Sequence, residues 1–266
     1  MQYTFGFIGT GNMASALLCS IIKQIPAQQI YLSNRTPEKA EALAKKLGCY
    51  AVDNIVAAQC DFVFLCVKPH LISEVLDQIA PVLANRKEMP VLVSIAAGVT
   101  MEKLQSMAGK PYPVIRMMPN TPVAVGEGII MYDYTHNVSE ASLEAFCYAV
   151  KSAGLVDHLP EELIDAGTCV SGCGPAFACL FMEALADGAV ACGLPRAKSL
   201  LYASQMLKGI GTLANETRKH PAQLKDEVCS PGGSTIAGIA ALEAGAFRGD
   251  VISAVKSSYE KNKQLG

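Results

Sequence analysis

The stretch Phe5-Gly6-Phe7-Ile8-Gly9-Thr10-Gly11-Asn12-Met13-Ala14 decides how the rest of the chain is read. Residues 3–8 form a short apolar run suited to a buried strand. Residues 12–24 carry small and apolar side chains at helical spacing. Between them stands a Gly-x-Gly-x-x-Ala turn, the fingerprint of a dinucleotide-binding loop. Gly9 permits the tight turn, Gly11 lets the backbone approach a pyrophosphate, and Ala14 keeps the helix close to the sheet. The helix N-terminus then faces the anion with unpaired N–H groups. Ile8, Gly9, Thr10, Gly11, Asn12 and Met13 are therefore expected against the cofactor. The motif is weak alone, and its place between a strand and a helix gives it meaning.

The alternation continues outward from this loop. Residues 29–33 read as a second strand. Thr36 and Pro37 then start a helix with a capping hydroxyl and a proline at its first position, and Gly48 ends it. Residues 62–67 and 91–95 are unbroken apolar runs, typical of parallel strands covered on both faces. A helix is expected over 72–83, another after Thr100, and further strands over 113–118, 128–132 and 155–159. This pattern predicts an α/β, Rossmann-type doubly wound parallel sheet over residues 1–159. Residues 160–266 show no strand pattern. Alanine, leucine, glycine and cysteine recur there at helical spacing, over 177–191 and 197–213 for example. An all-α second domain is expected, with too many apolar sides for a small monomeric bundle. That surplus predicts packing against another subunit.

The end of the second strand bears on cofactor choice. An NAD site places a carboxylate there to hold the ribose 2′-hydroxyl. This chain has Ser33-Asn34-Arg35-Thr36 instead. Nothing acidic repels a 2′-phosphate, and the Arg35 guanidinium can bind one. NADPH is favoured, with NADH left possible. Asn34 belongs to the same contact region. Val67-Lys68-Pro69-His70 and Ile95-Ala96-Ala97-Gly98 follow two later strands, at the strand ends where open α/β sheets bind ligands. Small residues at 96–98 would allow a nicotinamide ring to come close. Lys68 is either a cofactor contact or a surface charge.

Composition narrows the class. The 266 residues suggest about two domains. With 51% hydrophobic and 17% charged residues, the chain can bury a large core. A formal net charge of -2 without long runs of one sign argues against nucleic-acid and membrane-surface partners. Ten cysteines form no CxxC pair, so they read as buried apolar groups in a reducing compartment and not as a zinc site. Residues 1–22 lack charge, but they have no basic leader region, and the 9–12 turn interrupts them. A cytoplasmic protein without a membrane span is expected.

The helical half holds two motifs that packing does not require. One is Ser171-Gly172-Cys173-Gly174-Pro175-Ala176. The other is Ser230-Pro231-Gly232-Gly233-Ser234-Thr235, leading into an apolar helix. Such a turn exposes several unpaired N–H groups with two hydroxyls beside them, a site of the right size for a carboxylate.

With Val67-Lys68-Pro69, the Arg116-Met117-Met118-Pro119-Asn120-Thr121-Pro122 segment and Leu224-Lys225-Asp226, these motifs occur in order along essentially the whole chain. In this the chain resembles the pyrroline-5-carboxylate reductase family. The family often has Ser where Cys173 stands, and Thr or Ala where Ser234 stands; all are small. The resemblance implies a helical domain that interlocks with a partner's, giving a homodimer or a larger assembly of dimers. The substrate site would lie near that interface. It places Ser230, Gly233, Ser234 and Thr235 on the substrate carboxylate, with Thr235 near the imine nitrogen as the catalytic contact. Asn54 is expected at the adenosine ribose and Asn120 at the cofactor. Glu161 and Glu216 are expected in the substrate region. The implied reaction is hydride transfer from NADPH to pyrroline-5-carboxylate, giving proline. Another NADP-linked dehydrogenase would want an acid–base residue in the helical half, where Lys198, Lys208 and His220 are available. A dinucleotide sensor without turnover would have no use for the 231–235 turn.

Overall fold

The computed structural model describes residues 3–264. The chain begins with β1 (Phe5–Ile8), α1 (Asn12–Ile21), β2 (Ile30–Ser33), α2 (Pro37–Leu47) and β3 (Tyr50–Ala51). There follow α3 (Asn54–Ala57), β4 (Phe62–Leu65), α4 (Ile72–Ala84), β5 (Val91–Ser94), α5 (Met101–Ala108) and β6 (Val114–Pro119). β7 (Gly128–Tyr134), α6 (Glu140–Val150) and β8 (Gly154–His158) complete an eight-stranded sheet in the order β3-β2-β1-β4-β5-β6-β7-β8. The first six strands are parallel, in the doubly wound order. The order reverses between β1 and β4, which opens a crevice at their carboxyl ends.

The sheet is not parallel throughout. β7 runs antiparallel to β6, and β8 is parallel to β7. The cause is connection length. A parallel neighbour needs a crossover of about a dozen residues, and the short link after Pro119 is a single turn, Thr121–Val125. α6 supplies such a crossover between β7 and β8. β3, a two-residue strand with both residues exposed, carries no apolar signal in the sequence.

Two cores sandwich the sheet. On one face the β1–β4 register sets Phe5 beside Phe62 and Phe7 beside Phe64. Their rings stack at 5.1 and 4.3 Å between centroids. Burying each ring contributes about 1.5–3 kcal/mol. On the other face Val63, Leu65 and Leu92 pack with Ile72, Leu76 and Ile79 of α4. Gly6 also points to that side, where any Cβ would strike the Ala57 carbonyl. The absent side chain lets α3 press onto β1. Thr36 stands at the N-cap of α2 with Pro37 after it, although its hydroxyl makes no capping bond. Gly48 closes α2 in the left-handed region at φ +75°.

α7 (Glu161–Ser171) packs on β6 and β7. Contacts divide the chain into two compact units, and the division falls between Gly172 and Cys173. It lies one helix beyond the division at 159/160 expected from sequence character. The second unit holds α8 (Gly174–Ala191), α9 (Arg196–Thr217), α10 (Pro221–Glu227) and α11 (Ser234–Ala244), with most of α12 (Phe247–Lys263). α8 and α9 pack on each other. Among the described residues, α8 buries only Ala186, α10 only Leu224, and α11 and α12 none. Residues Glu161–Ala191 form a run long and apolar enough to cross a membrane by length and composition.

Candidate active site

The loop after β1 is shaped by close contact. Gly9 sits at φ +101°, and a Cβ there would meet the Cys66 carbonyl oxygen at 2.5 Å. Its N–H donates to the Ser33 carbonyl at 2.8 Å, which ties the loop to the end of β2. Gly11 is the N-cap of α1, with no side-chain cap and no acidic residue in the first turn. The first-turn N–H groups therefore face open space with the helix dipole behind them. The Thr10 hydroxyl is buried without a partner among the described residues. A crowded Gly9, an open helix start and an orphaned hydroxyl together suit a bound pyrophosphate.

A crevice joins this loop to the ends of β4, β5 and β6. Gly11, Asn12, Met13 and Ala14 line it with Cys66, Val67, Lys68 and Pro69, and with Ile95, Ala96, Ala97, Met118 and Pro119. Burial pushes the Cys66 thiol well up, so it stays uncharged in the crevice wall. Cys66, Met118 and Pro119 were not expected here, yet each lies just beyond or within the carboxyl end of a strand, where the strand-end rule would have found them.

The adenosine end is organised around β2. Asn34 Oδ1 accepts the Thr10 N–H at 3.2 Å, and Asn34 Nδ2 donates to the Thr36 carbonyl at 3.0 Å. The Ser33 hydroxyl donates to Asn54 Oδ1, and Asn54 Nδ2 donates to Gln78 Oε1 at 2.6 Å. Asn54 is thus brought to the end of β2. Gln78, its far partner on α4, had no sequence signal. Arg35 is exposed and makes no ion pair among the described residues. It can accept a phosphate without first breaking an ion pair.

Two expected contacts have other engagements. Asn120 Nδ2 donates to the Ser171 carbonyl at 2.9 Å, and its Oδ1 accepts the Ile129 N–H at 2.8 Å. Its side chain joins β7 to the end of α7. Glu161 Oε1 accepts the Met101 N–H at 2.8 Å and faces Arg116 Nη1 at 3.3 Å. Arg116, 2% exposed on β6, also pairs with Asp165 at 2.8 Å. Glu216 lies exposed near the end of α9.

The helical unit carries the second anion-receptive turn. Gly232 adopts φ +67°, and the Gly233 N–H donates to the Ser230 carbonyl at 3.0 Å. Gly233 is then the N-cap of α11, again without a side-chain cap or an acidic first turn. Ser230, Ser234 and Thr235 are exposed around the open amides. The geometry can receive a small carboxylate with hydroxyls alongside. Among residues 230–235 there is no group that would serve as a strong acid or base.

Comparison with known proteins agrees over the full length. A family model described as pyrroline-5-carboxylate reductase dimerisation matches residues 161–265. A model described as NADP oxidoreductase, coenzyme F420-dependent, matches residues 4–98. A pyrroline-5-carboxylate reductase from Synechocystis is 40% identical over 271 aligned positions, covering 100% of this chain and 99% of the relative. The Escherichia coli reductase of the same name is 37% identical, again over 100% of this chain and 99% of its own. A solved Plasmodium falciparum pyrroline carboxylate reductase with NADP bound superposes with a TM-score of 0.89 at 32% identity, covering 100% of this chain and 99% of that one. By sequence along its entire length and by fold, the chain belongs to the pyrroline-5-carboxylate reductase family.

Proposed function

We infer that this chain reduces 1-pyrroline-5-carboxylate to proline with NADPH. The observation that carries the reading is the pairing of two open helix starts in a member of this family. One lies at Gly11 in a nucleotide crevice, and the other at Gly233 in a turn flanked by hydroxyls. NADPH supplies a hydride for the imine carbon when it is bound. The 8–13 loop and the first amides of α1 hold its pyrophosphate. Arg35 takes the 2′-phosphate, with Asn34 and Asn54 beside it at the ribose. Val67, Lys68 and Pro69 with Ala96 and Ala97 line the way to the nicotinamide end.

The substrate carboxylate binds at the amides of the 233–235 turn, with Ser230 and Ser234 as hydroxyl donors. Thr235 hydrogen-bonds the ring nitrogen. The imine is most electrophilic when protonated, and it brings that proton from solution, so the turn needs no strong acid. The ring nitrogen keeps the proton, the carbon gains the hydride, and proline results. Orientation at near-attack distance is the protein's main contribution.

The working unit is a homodimer or an assembly of dimers. The dimerisation match over residues 161–265 and the open apolar helices support it. The same match favours packing of the exposed apolar side chains of α8 against another copy over contact with lipid. Among the described residues no disulfide links any cysteine, which suits a reducing compartment such as the cytoplasm.

The test is loss of NADPH absorbance with purified protein and racemic pyrroline-5-carboxylate, repeated with NADH and with Thr235→Val. Rapid loss yielding proline, slower with NADH and slower again in the variant, is expected. A folded protein that binds NADPH but never oxidises it would reject the reading.

A further inference from the structure

The loop that leaves β5 forms one wall of the nucleotide crevice through Ile95, Ala96 and Ala97. Ala96 and Ala97 are small, and Gly98 adopts φ +72°. Ala96 and Val99 are buried in the core, but the loop has few other side chains to fix it, so its position also depends on how its two ends are held. At its root the Ser94 hydroxyl accepts the Ala96 N–H at 3.3 Å. At its far end the loop becomes the first turn of α5, whose leading N–H groups have no partner within the helix. Thr100 Oγ1 accepts one of them, from Lys103, at 3.2 Å. Another, from Met101, reaches 60 residues along the chain to Glu161 Oε1 at 2.8 Å.

The same Glu161 oxygen lies 3.3 Å from Arg116 Nη1. In the β5–β6 register Arg116 is the partner of Ser94, the residue from which the loop departs. One buried guanidinium at the loop's root therefore holds the carboxylate that holds the loop's far end. Arg116 is fixed in turn, because Asp165 takes Nη2 at 2.8 Å. The Glu161 backbone is fixed separately, by its N–H donating to Asp133 Oδ2 at 2.8 Å. Docking α7 on the sheet is thus met by Asp165 and Asp133 without the Glu161 side chain. What that side chain adds is the link between Arg116 and the Met101 N–H.

We propose that Glu161 is a positioning residue for hydride transfer: it braces the 95–97 crevice wall against Arg116 and so sets where the nicotinamide end of the cofactor lies. The proposal rests on the NADPH-dependent reading above. It predicts a defect confined to one end of the cofactor. The adenosine end is held by β2 and Asn54, away from the brace.

The experiment uses the full-length protein in three forms besides wild type: Glu161→Ala, Glu161→Gln and Met101→Pro. Proline at the first helical position is tolerated, and Thr100 already has the extended backbone that must precede it, at φ -74° and ψ 160°. Met101→Pro therefore removes the N–H donor while leaving the Glu161–Arg116 pair intact, and it keeps the proposal testable should Glu161→Ala fail to fold. Each form is measured for turnover, for NADPH affinity, and for affinity toward adenosine 2′,5′-bisphosphate, which reaches only the adenosine end. Glu161→Ala and Met101→Pro should lose about 10–100-fold in kcat, the scale expected for misplacement of reacting groups. NADPH binding should weaken while bisphosphate binding is unchanged, and Glu161→Gln, which keeps the acceptor oxygen, should recover most of the loss. Wild-type turnover in Glu161→Ala or Met101→Pro overturns the proposal. So does a parallel loss of bisphosphate affinity, which would mark a general structural defect. If the wild type binds NADPH yet reduces nothing, the reductase reading falls, while the split between NADPH and bisphosphate affinities still decides the role of Glu161.

Discussion

The sheet unit and the helical unit differ in how far they bury their apolar side chains. Phe5, Phe7, Phe62 and Phe64 are sealed between layers within one chain. Leu180 is 68% exposed and Val228 63% exposed, and Leu201, Tyr202 and Ile252 also stand open. Apolar side chains this exposed on several helices of one unit are uncommon on monomers and mark a surface that something covers. The first unit closes its own core. The second, on the reading proposed above, borrows the rest of its core from another copy.

The contrast breaks most sharply under truncation of a sealed ring. Phe7→Ala should cost about 3–5 kcal/mol, because its neighbour Phe64 and the surrounding layers collapse only partly into the space. The loss should appear in thermal or urea unfolding and be the same at every protein concentration. On the open face, Leu180→Asp should act differently. On the dimeric reading it puts a charge against another copy's apolar surface, at a cost of about 2 kcal/mol or more in association. Size and mass measurement in solution should then show smaller species, with the midpoint of unfolding dependent on concentration. An unchanged assembly with full turnover would mean that Leu180 faces solvent, and the contrast would need another cause.

The two units also differ in how much of them the sequence discloses. The buried strands read directly, because unbroken apolar runs such as 62–65 leave few alternatives. The 9–14 loop reads equally well, since Gly9 answers to a local backbone demand at φ +101° and Gly11 leaves the start of α1 open. Long-range engagements do not read. Nothing in Arg116 itself points to Asp165, 49 residues on, and the register of β6 beside β5 is needed before Glu161 becomes a brace. The reversal of β7 was available in the short link after Pro119, through a rule about connection length and not about composition. In the helical unit the motif at 230–235 was legible as a turn before a helix. Which helix faces are covered was not, since that depends on a surface outside the chain.

The sheet unit can be sharpened separately from assembly at Arg35. Arg35→Gln should leave size in solution and NADH turnover unchanged while raising KM for NADPH about tenfold, the scale of one exposed charge-assisted hydrogen bond. Added salt should narrow the difference between variant and wild type, because an exposed ion contact is screened. An equal loss with both cofactors would place Arg35 in folding and not in recognition of the 2′-phosphate.

Thiol reactivity gives the finest test, since it reports burial residue by residue. In the sheet unit, burial pushes the Cys49 thiol up to about 11 and the Cys60 thiol up to about 12. For Cys60 desolvation leads, the hydrogen bond from Thr4 opposes it next, and the Asp61 carboxylate raises the thiol further against a smaller opposing effect from Arg86. Both stay protonated at pH 8, and thiols react as thiolates, so both should resist alkylation. The unfolded thiol titrates near its ordinary 9.0. Above that pH the unfolded chain releases protons that the folded chain keeps. The stabilising contribution is thus full below about pH 9 and declines as pH rises toward 12. In the helical unit Cys179, next to Leu180 on α8, is exposed within a single chain. If another copy covers this face, Cys179 labels slowly in the assembled protein and quickly after dilution or in Leu180→Asp, while Cys60 stays unlabelled throughout. Fast labelling of Cys179 at every concentration would leave the helical face open and remove the reason for treating the two units as one core completed inside the chain and one completed outside it.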